Sequence, residues 1–193
     1  MNLHLPEYLQ GFARFGYLSG WRKSEISSLL REDVDRLWKV IRLRPQNSKN
    51  GAGRVLALEG ELWDITGRQW HSREYDQGEG TVAFSLYVFH RDGTPIGSIR
   101  KAWASACKKA GAQGRLFHDL RRTAVRNRVR AGVPERVAMS ISGHKTRAIF
   151  DRYNIVSEDD LRQAVLKTQS YLTSSPSKAE VISIGKKKAG GSR

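Results

Sequence analysis

The stretch that decides the fold is FHDLRRTAVRNRVRAGVPERVAMSISGHKTRAIFDRYNIV, residues 117–156. Within it stand two histidines, an arginine and a tyrosine, namely His118, Arg121, His144 and Tyr153. Side chains three residues apart on a helix project from one face, so His118 and Arg121 are expected to act at the same place. Gly143 predicts a bend before His144, without which nine helical residues would hold His144 and Tyr153 about 13 Å apart.

These four side chains suit the cleavage of a phosphodiester. Its transition state carries negative charge on non-bridging oxygens, which fixed cationic donors stabilise. Arginine serves well because its planar fork donates two parallel hydrogen bonds and stays charged. A tyrosine hydroxyl, whose pKa in model peptides is about 10, becomes a nucleophile beside a base or cations. The pattern therefore predicts that Tyr153 forms a phosphotyrosyl ester, which conserves the energy of the broken bond and needs no ATP.

The composition indicates a polyanionic partner. The 193 residues include 34 Lys+Arg against 19 Asp+Glu, a formal net charge of +15. Such a surplus favours nucleic acid over a membrane, although a merely basic or ribosome-associated surface is the alternative. The start of the chain lacks the pattern of a signal peptide, and no apolar run approaches the roughly 18 residues of a spanning helix. We therefore expect a soluble, intracellular protein with no membrane partner.

The use of cysteine and carboxylates argues against metal chemistry. Cys107 is the only cysteine, which excludes an intrachain disulfide and a thiolate metal cluster and predicts a small core residue. The sequence has no cluster of carboxylates of the kind that a two-metal nuclease needs. The pairs Asp33/Asp35 and Asp159/Asp160 lie next to helix termini, where capping or a solvated position is expected. We expect neither a metal nor a cofactor.

Hydrophobic periodicity predicts a mainly helical chain with one small sheet. Apolar spacing and capping residues predict helices at residues 6–18, 24–30 with Ser24 as N-cap, 60–75, 98–110, 118–131, 134–141, 146–153 and 158–172. Strands at 37–43 and 54–58 predict a β-hairpin with Lys49 near its tip, and residues 85–90 predict another short strand. The expected fold class is α+β, mainly α-helical with a small antiparallel β-sheet. Ser, Gly and Lys dominate residues 173–193, which predicts a basic, flexible tail.

Five separated boxes of the sequence resemble the tyrosine recombinases, the family of phage-type integrases. The boxes are SGWRKSEISSLLREDVD with Arg22 and Glu25, the Lys49 loop NSKNGAGRVLAL, HDLRRTA, SGH and DRYNIV. The intervals fit as well, since His144 follows Arg121 by 23 residues and precedes Tyr153 by nine. The resemblance covers residues 5–160 and implies the catalytic-domain fold of the DNA breaking-rejoining enzymes.

The resemblance implies a phosphate-binding role for three residues. Arg22 and Arg121 are expected to clamp the scissile phosphate, and His144 to donate a hydrogen bond to it. Glu25 matches the family's supporting acidic residue, which orients Arg22 rather than touching DNA.

The resemblance implies a role in bond cleavage for three more. Tyr153 is expected to form the 3′-phosphotyrosine, with His118 as its base or hydrogen-bond partner. Lys49 is expected to be the general acid that protonates the 5′-hydroxyl leaving group. The nearby basic residues Arg44 and Arg54 are the alternatives to Lys49.

Activity and partners follow from the same resemblance. It implies a site-specific recombinase that cleaves and rejoins double-stranded DNA at an attachment or recombination site, without metal or ATP, as a tetramer on DNA. The expected location is the cytoplasm, on the nucleoid of a bacterium or a phage-infected cell. Members usually carry an N-terminal core-binding domain, whereas Arg22 lies only 21 residues after Met1. Residues 1–172 are therefore expected to form the catalytic domain alone, with the core-binding domain absent, followed by the tail at 173–193.

Three other functions stay open at this point. The segment RAGVPERVAMSISGHKT also resembles two helices around a tight turn, which favours a non-catalytic helix-turn-helix regulator but leaves the Arg22 box and the Lys49 loop unexplained. A type IB topoisomerase would share the phosphotyrosine chemistry, and a decayed fragment would fold without activity. The apolar helix at 161–172 could pack on a neighbouring protomer or on its own domain.

Overall fold

The computed structural model describes residues 4–49, 51–153 and 156–174. Contacts within the chain divide it into two compact units, Met1–Ile155 and Val156–Arg193. The first unit contains all the strands and most of the helices that the structure describes, and the second contains one helix. The boundary expected at residue 172 between a catalytic domain and a tail stays a prediction.

Helices make up most of the first unit. They are α1 (Glu7–Ser19), α2 (Lys23–Ser27), α3 (Glu61–His71), α4 (Arg100–Lys109), α5 (Asp119–Arg130), α6 (Glu135–Ser142) and α7 (Arg147–Asp151), with 3-10 turns at Arg31–Asp33 and Pro45–Asn47. The second unit contributes α8 (Glu158–Ser174). Every predicted helix is present, with ends that shift by a few residues.

A small antiparallel sheet carries the loop with Lys49. Its strands are β1 (Val34–Asp35), β2 (Val40–Leu43) and β3 (Arg54–Ala57), in the order β1-β2-β3. Ile41 pairs with Leu56, and both are buried on the face turned to the core. The predicted hairpin is confirmed, but β2 starts at Val40 because the residues before it form a turn in which Lys39 has a φ of +49°.

The strand predicted at residues 85–90 is wrong. The segment instead connects two short hairpins. One is formed by β4 (Glu74–Asp76) with β5 (Val82–Phe84), and the other by β6 (His90–Arg91) with β7 (Thr94–Pro95). Between them Val88 and Phe89 are both buried although they do not belong to a strand. The segment instead makes one isolated bridge, between Tyr87 and Leu30.

The core lies between α1 and the sheet. Leu9, Phe12 and Phe15 line one face of α1 and are buried, and Phe89 packs edge-on against Phe12 with ring centroids 5.7 Å apart. Trp21, Trp103 and Cys107 are buried in the same cluster and Trp63 is half-buried, so the core position predicted for Cys107 is confirmed. A second, smaller cluster joins Val125 of α5, Ala138 of α6 and Phe150 of α7.

Helix α8 exposes its apolar residues. Leu161, Val165, Leu166 and Leu172 are 56–66% exposed, and the helix continues through Ser174, beyond the predicted start of the tail. The remainder of that tail lies outside the described residues. Nowhere in the described part of the chain is there a helix both long enough and apolar enough to span a bilayer.

Candidate active site

The turn after α1 fixes the first arginine of the site. Gly20 ends α1 with a φ of +68°, in the left-handed region that glycine tolerates, and a Cβ there would lie 3.0 Å from Cβ of Ala124 in α5. The next residue, Trp21, is buried, and its indole N–H donates to the carbonyl of Ile141 in α6 at 3.0 Å. Arg22 therefore leaves α1 at a corner that is held against α5 and α6.

Glu25 orients Arg22. Its Oε2 accepts the backbone N–H of Arg22 at 2.7 Å, and its Oε1 accepts Nη1 of Arg22 at 2.9 Å. This contact explains why Arg22 is the N-cap of α2 and why the predicted cap, Ser24, is wrong. Burial raises the pKa of Glu25, but hydrogen bonds from Arg54 and Arg22 outweigh it and hold the pKa below its ordinary value. The ionised carboxylate thus fixes a guanidinium that is 20% exposed.

Arg54 completes this group. The sequence suggested it only as an alternative to Lys49, whereas the structure pairs it with the buried Glu25. Its Nη2 donates to Oε2 of Glu25, and its guanidinium lies over the ring of Trp21, with Cζ 4.8 Å from the centroid. A Cβ on Gly143 would collide with that guanidinium, so only glycine fits there. The alternation along β3 could have revealed Arg54, because it occupies the inward face two residues before the buried Leu56.

We expect Arg54→Met to lower the free energy of unfolding by about 3 kcal/mol, because it removes one partner of a buried ion pair. The Arg54 and Glu25 side chains are 7% and 0% exposed. Arg42→Met is the matched control, since Arg42 on the neighbouring strand pairs with Asp35 at the surface and its loss should cost less than about 1 kcal/mol. Urea unfolding of both variants makes the comparison. Equal losses would contradict a buried, site-supporting role for Arg54.

Arg121 lies at the centre of the site, in the first turn of α5. It is 1% exposed, and its Nη1 donates to the carbonyls of Gly20 at 2.7 Å and Ser142 at 2.5 Å. Its Nη2 lies 3.0 Å from Nε2 of His144. Its Nε–H, which together with Nη2 forms the fork that suits an oxyanion, has no acceptor among the described residues. Burial, aided by the charge of Arg22, lowers the pKa of Arg121 to about 10, so it is cationic at neutral pH.

His144 reaches Arg121 because the chain bends before it. Gly143 ends α6 with a φ of +74°, and the N–H groups of Gly143 and His144 both donate to the Met139 carbonyl, at 2.7 and 3.1 Å. The predicted bend is confirmed. Burial and then the charge of Arg121 lower the pKa of His144 to about 3, so the ring is neutral at physiological pH.

Tyr153 follows α7 and lies against three of the other predicted site residues. Its ring centroid is 4.7 Å from that of His144, 5.8 Å from that of His118 and 5.8 Å from Cζ of Arg121. The ring also packs on the small cluster around Phe150. The hydroxyl is therefore directed to a basic site while the ring is held by apolar contacts.

His118 is the residue that touches the hydroxyl of Tyr153. It caps the N-terminus of α5, and its Nε2 lies 2.9 Å from the Tyr153 oxygen. Burial, followed by the charges of Arg121 and Arg22, lowers the pKa of His118 below its ordinary value. A neutral imidazole at this distance can accept the tyrosine proton.

The structure thus brings together Arg22, His118, Arg121, His144 and Tyr153. Lys49 is exposed in the turn between β2 and β3, and within residues 4–49, 51–153 and 156–174 it shares no hydrogen bond, ion pair or ring contact with those five. Over the same described residues, no group of three His, Cys, Asp or Glu side chains could hold a metal ion. What the site offers is cationic donors around one hydroxyl.

Of the other basic residues of α5, Arg128 is not part of a solvated face. Its Nη2 donates to the carbonyls of Leu18 at 2.5 Å and Ser19 at 2.8 Å, at the C-terminus of α1. It therefore joins α5 to α1, whereas Arg122 and Arg126 are exposed. This contact helps to hold the helix that carries Arg121.

Comparisons with known proteins agree on one family and one fold. The integrase of Salmonella phage P22 is 27% identical over 164 residues, which cover 81% of this chain and 41% of that protein. The crystal structure of XerA recombinase superposes with a TM-score of 0.64 at 21% identity, over 86% of this chain and 65% of that one. A lambda integrase fragment (75–356), solved as a dimer bound to a COC′ core site, superposes with a TM-score of 0.58 at 13% identity. The match covers 77% of this chain and 52% of that one. These superpositions confirm the predicted fold class.

The chain spans about two fifths of the length of the curated relative that it matches. The model of the phage integrase family, in contrast, matches residues 3–159, which is most of this chain. All five boxes singled out in the sequence lie within that range. The protein therefore belongs to the phage integrase family.

Proposed function

We propose that this protein is a site-specific DNA recombinase that cleaves and rejoins strands through a 3′-phosphotyrosine at Tyr153. The observation that carries the proposal is the Tyr153 hydroxyl 2.9 Å from Nε2 of His118, with the ring of the same tyrosine 5.8 Å from Cζ of the buried Arg121. This arrangement places a nucleophile close to an anion-binding guanidinium. The lambda integrase fragment that shares the fold was solved on DNA, and the charge of +15 suits the same class of partner here.

The cleavage step can be written with the residues at hand. The Tyr153 oxygen attacks phosphorus while His118 Nε2 takes its proton, and the bond from phosphorus to the 5′-oxygen breaks. Arg22 and Arg121 stabilise the non-bridging oxygens, and Lys49 gives a proton to the leaving 5′-oxygen. One proton is removed and one is delivered, and the phosphodiester becomes a phosphotyrosyl ester. Reversal of the step by a different 5′-hydroxyl rejoins the strand without ATP or metal.

The wider assignments rest on the same proposal. We infer that residues 1–172 form the catalytic domain, that the partner is double-stranded DNA at an attachment or recombination site, and that several copies, up to a tetramer, assemble on it. Because the chain spans only part of its relatives, the complete recombination reaction is a separate question from cleavage. Cleavage is therefore the step to test first.

Incubation with nicked duplexes provides the test. Duplexes drawn from the DNA on both sides of the gene, each nicked shortly 3′ of the tested phosphate so that the short fragment with the new 5′-hydroxyl diffuses away after cleavage, would trap the covalent complex. In the presence of EDTA we expect a protein band that resists denaturation and carries the label of the strand whose 3′ end is the cleaved phosphate. Relaxation of a plasmid without any such site would instead favour a topoisomerase, and binding without trapping would favour a regulator.

The pKa of His118 predicts the pH dependence of cleavage. Because this pKa is lowered from 6.5, the neutral, proton-accepting form persists to a lower pH than that of an ordinary histidine. The single-turnover rate should therefore decline at low pH with a midpoint below 6.5. His118→Gln should cleave slowly, and its rate should no longer decline at low pH. His71→Gln, on the exposed end of α3, should keep the decline. A decline that is centred above 6.5, or that survives in His118→Gln, would exclude His118 as the base.

Lys49 can be tested through the leaving group. If it is the general acid, Lys49→Ala should slow cleavage of an ordinary duplex by about 10²–10⁴-fold. A duplex with sulfur in place of the scissile 5′-oxygen should restore the rate, because a thiol, with a pKa of about 8.5, leaves as the anion without a proton. Arg44→Ala is the control, since Arg44 pairs with Glu32 and Asp33 and should show no such rescue. If the sulfur-containing duplex rescues Arg44→Ala rather than Lys49→Ala, Arg44 and not Lys49 is the general acid.

A further inference from the structure

Ser142 holds two groups of the site at once. Its carbonyl accepts Nη1 of Arg121 at 2.5 Å, and its hydroxyl oxygen lies 2.7 Å from Nδ1 of His144. The same hydroxyl lies 2.7 Å from the carbonyl of Ala138, one turn earlier in α6. Ser142 is fully buried. The position was not among those predicted from the sequence.

The contacts allow only one placement of protons. An arginine N–H can only donate, so Nε2 of His144, 3.0 Å from Nη2 of Arg121, must accept. The ring is neutral, so its single N–H is on Nδ1 and donates to the hydroxyl of Ser142. That hydroxyl then directs its own proton to the Ala138 carbonyl. This placement gives both ring nitrogens of His144 and the hydroxyl of Ser142 a partner of the right kind.

This placement conflicts with donation to a phosphate. A phosphate oxygen accepts hydrogen bonds, and Nε2 of His144 carries no proton while it accepts from Arg121. When Nη2 of Arg121 turns to an oxyanion, Nε2 loses its donor and becomes free to carry the proton itself. The ring then needs a donor for Nδ1, and a serine hydroxyl can fill that place because it both donates and accepts.

We propose that Ser142 is a positioning residue that controls which ring nitrogen of His144 carries the proton. In the free protein the Ser142 hydroxyl accepts from His144 and keeps the Nδ1–H tautomer. When a phosphate occupies the site, the hydroxyl rotates, donates to Nδ1 and keeps the Nε2–H tautomer. During the change the ring releases the Nδ1 proton to water and takes one from water at Nε2, so its charge is unchanged. The Ala138 carbonyl keeps the backbone N–H of Ser142, since both residues lie in α6. The phosphate-bound half of this inference rests on the proposed function, whereas the free-protein half does not.

Nitrogen NMR of the histidine rings tests the inference without any DNA cleavage. In protein labelled with ¹⁵N-histidine, long-range correlations to the ring protons distinguish the two tautomers, and the spectrum of His144→Gln identifies the His144 signals among the five histidines. We expect the Nδ1–H form in free wild-type protein at pH 7. Addition of inorganic phosphate to saturation should convert it to the Nε2–H form.

Two variants separate the role of the hydroxyl from that of the fold. Ser142→Ala should replace the single Nδ1–H form in the free protein by a mixture of the two tautomers, because Nδ1–H then has no acceptor and only the Arg121 donor to Nε2 still favours that form. Ser140→Ala, at an exposed position of the same helix, should keep it. An Nε2–H ring in the free wild type, an unchanged ring on addition of phosphate, or a Ser142→Ala spectrum like that of the wild type would each overturn the proposal. If the tautomers behave as expected but no DNA is cleaved, the proposed function fails and the free-protein half of the inference stands.

Discussion

Replacement of Tyr153 by phenylalanine is expected to abolish the covalent complex with DNA while leaving DNA binding within about twofold of wild type. The change removes only the oxygen that lies 2.9 Å from His118. The ring stays, and with it the packing on Phe150 and the contacts with His144 and Arg121, so the fold and the cationic surface are retained. Trapping on the nicked duplex, read on a denaturing gel, measures the first effect, and a binding titration measures the second.

Tyr171→Phe provides the control for this variant. Tyr171 is 70% exposed on α8, so loss of its hydroxyl should leave trapping unchanged. A covalent band of normal intensity with Tyr153→Phe would remove Tyr153 as the nucleophile. Loss of binding together with loss of the band would mean that the hydroxyl contributes to DNA affinity and not only to chemistry.

Arg121→Lys is expected to slow cleavage by about 10²–10³-fold although the positive charge is kept. An ammonium cannot donate to the carbonyls of Gly20 and Ser142 and also offer a planar fork to a phosphate. It also removes the donor to Nε2 of His144, so the ring loses its orientation. The measurement is the single-turnover rate with DNA in excess, where weakened binding does not contribute.

Arg126→Lys is the matched control. Arg126 lies on the same helix but is exposed, and the conservative change there should leave the rate within about twofold of wild type. Circular dichroism and thermal unfolding of both variants establish that α5 is formed. If Arg121→Lys cleaves as fast as Arg126→Lys, the fork is not used and the phosphate is bound elsewhere.

Sequence patterns were sufficient for most of the fold. The spacing of Leu9, Phe12 and Phe15 predicted α1, and the strands around the Gly-rich loop predicted the hairpin, because in both cases one face is buried and the other is not. The pattern failed at residues 85–90. There, consecutive side chains of a loop are buried, with Phe89 against α1, and hydrophobicity alone does not distinguish that from a buried strand.

The sequence indicated which side chains lie close together, with the exception of Lys49, but not the hydrogen bonds between them. The spacing of His118, Arg121, His144 and Tyr153 indicated a common site, and the structure places them together. The roles of Arg54 and Ser142 were not predicted. Arg54 acts through a partner that is distant in sequence, and Ser142 acts through the orientation of one hydroxyl. Arg54 could have been found from its inward position on β3, whereas a lone serine before the Gly143 bend gives no signal beyond an ordinary helix terminus.

Mass spectrometry of the trapped complex tests the central claim most directly. After nuclease and trypsin digestion of a covalent complex formed on the nicked duplex, the account predicts that one peptide gains the mass of a 3′-linked nucleotide, with fragmentation placing it on Tyr153. A nucleotide attached to any other residue, or cleavage that leaves a free 3′-phosphate or 3′-hydroxyl with no protein attached, would contradict it.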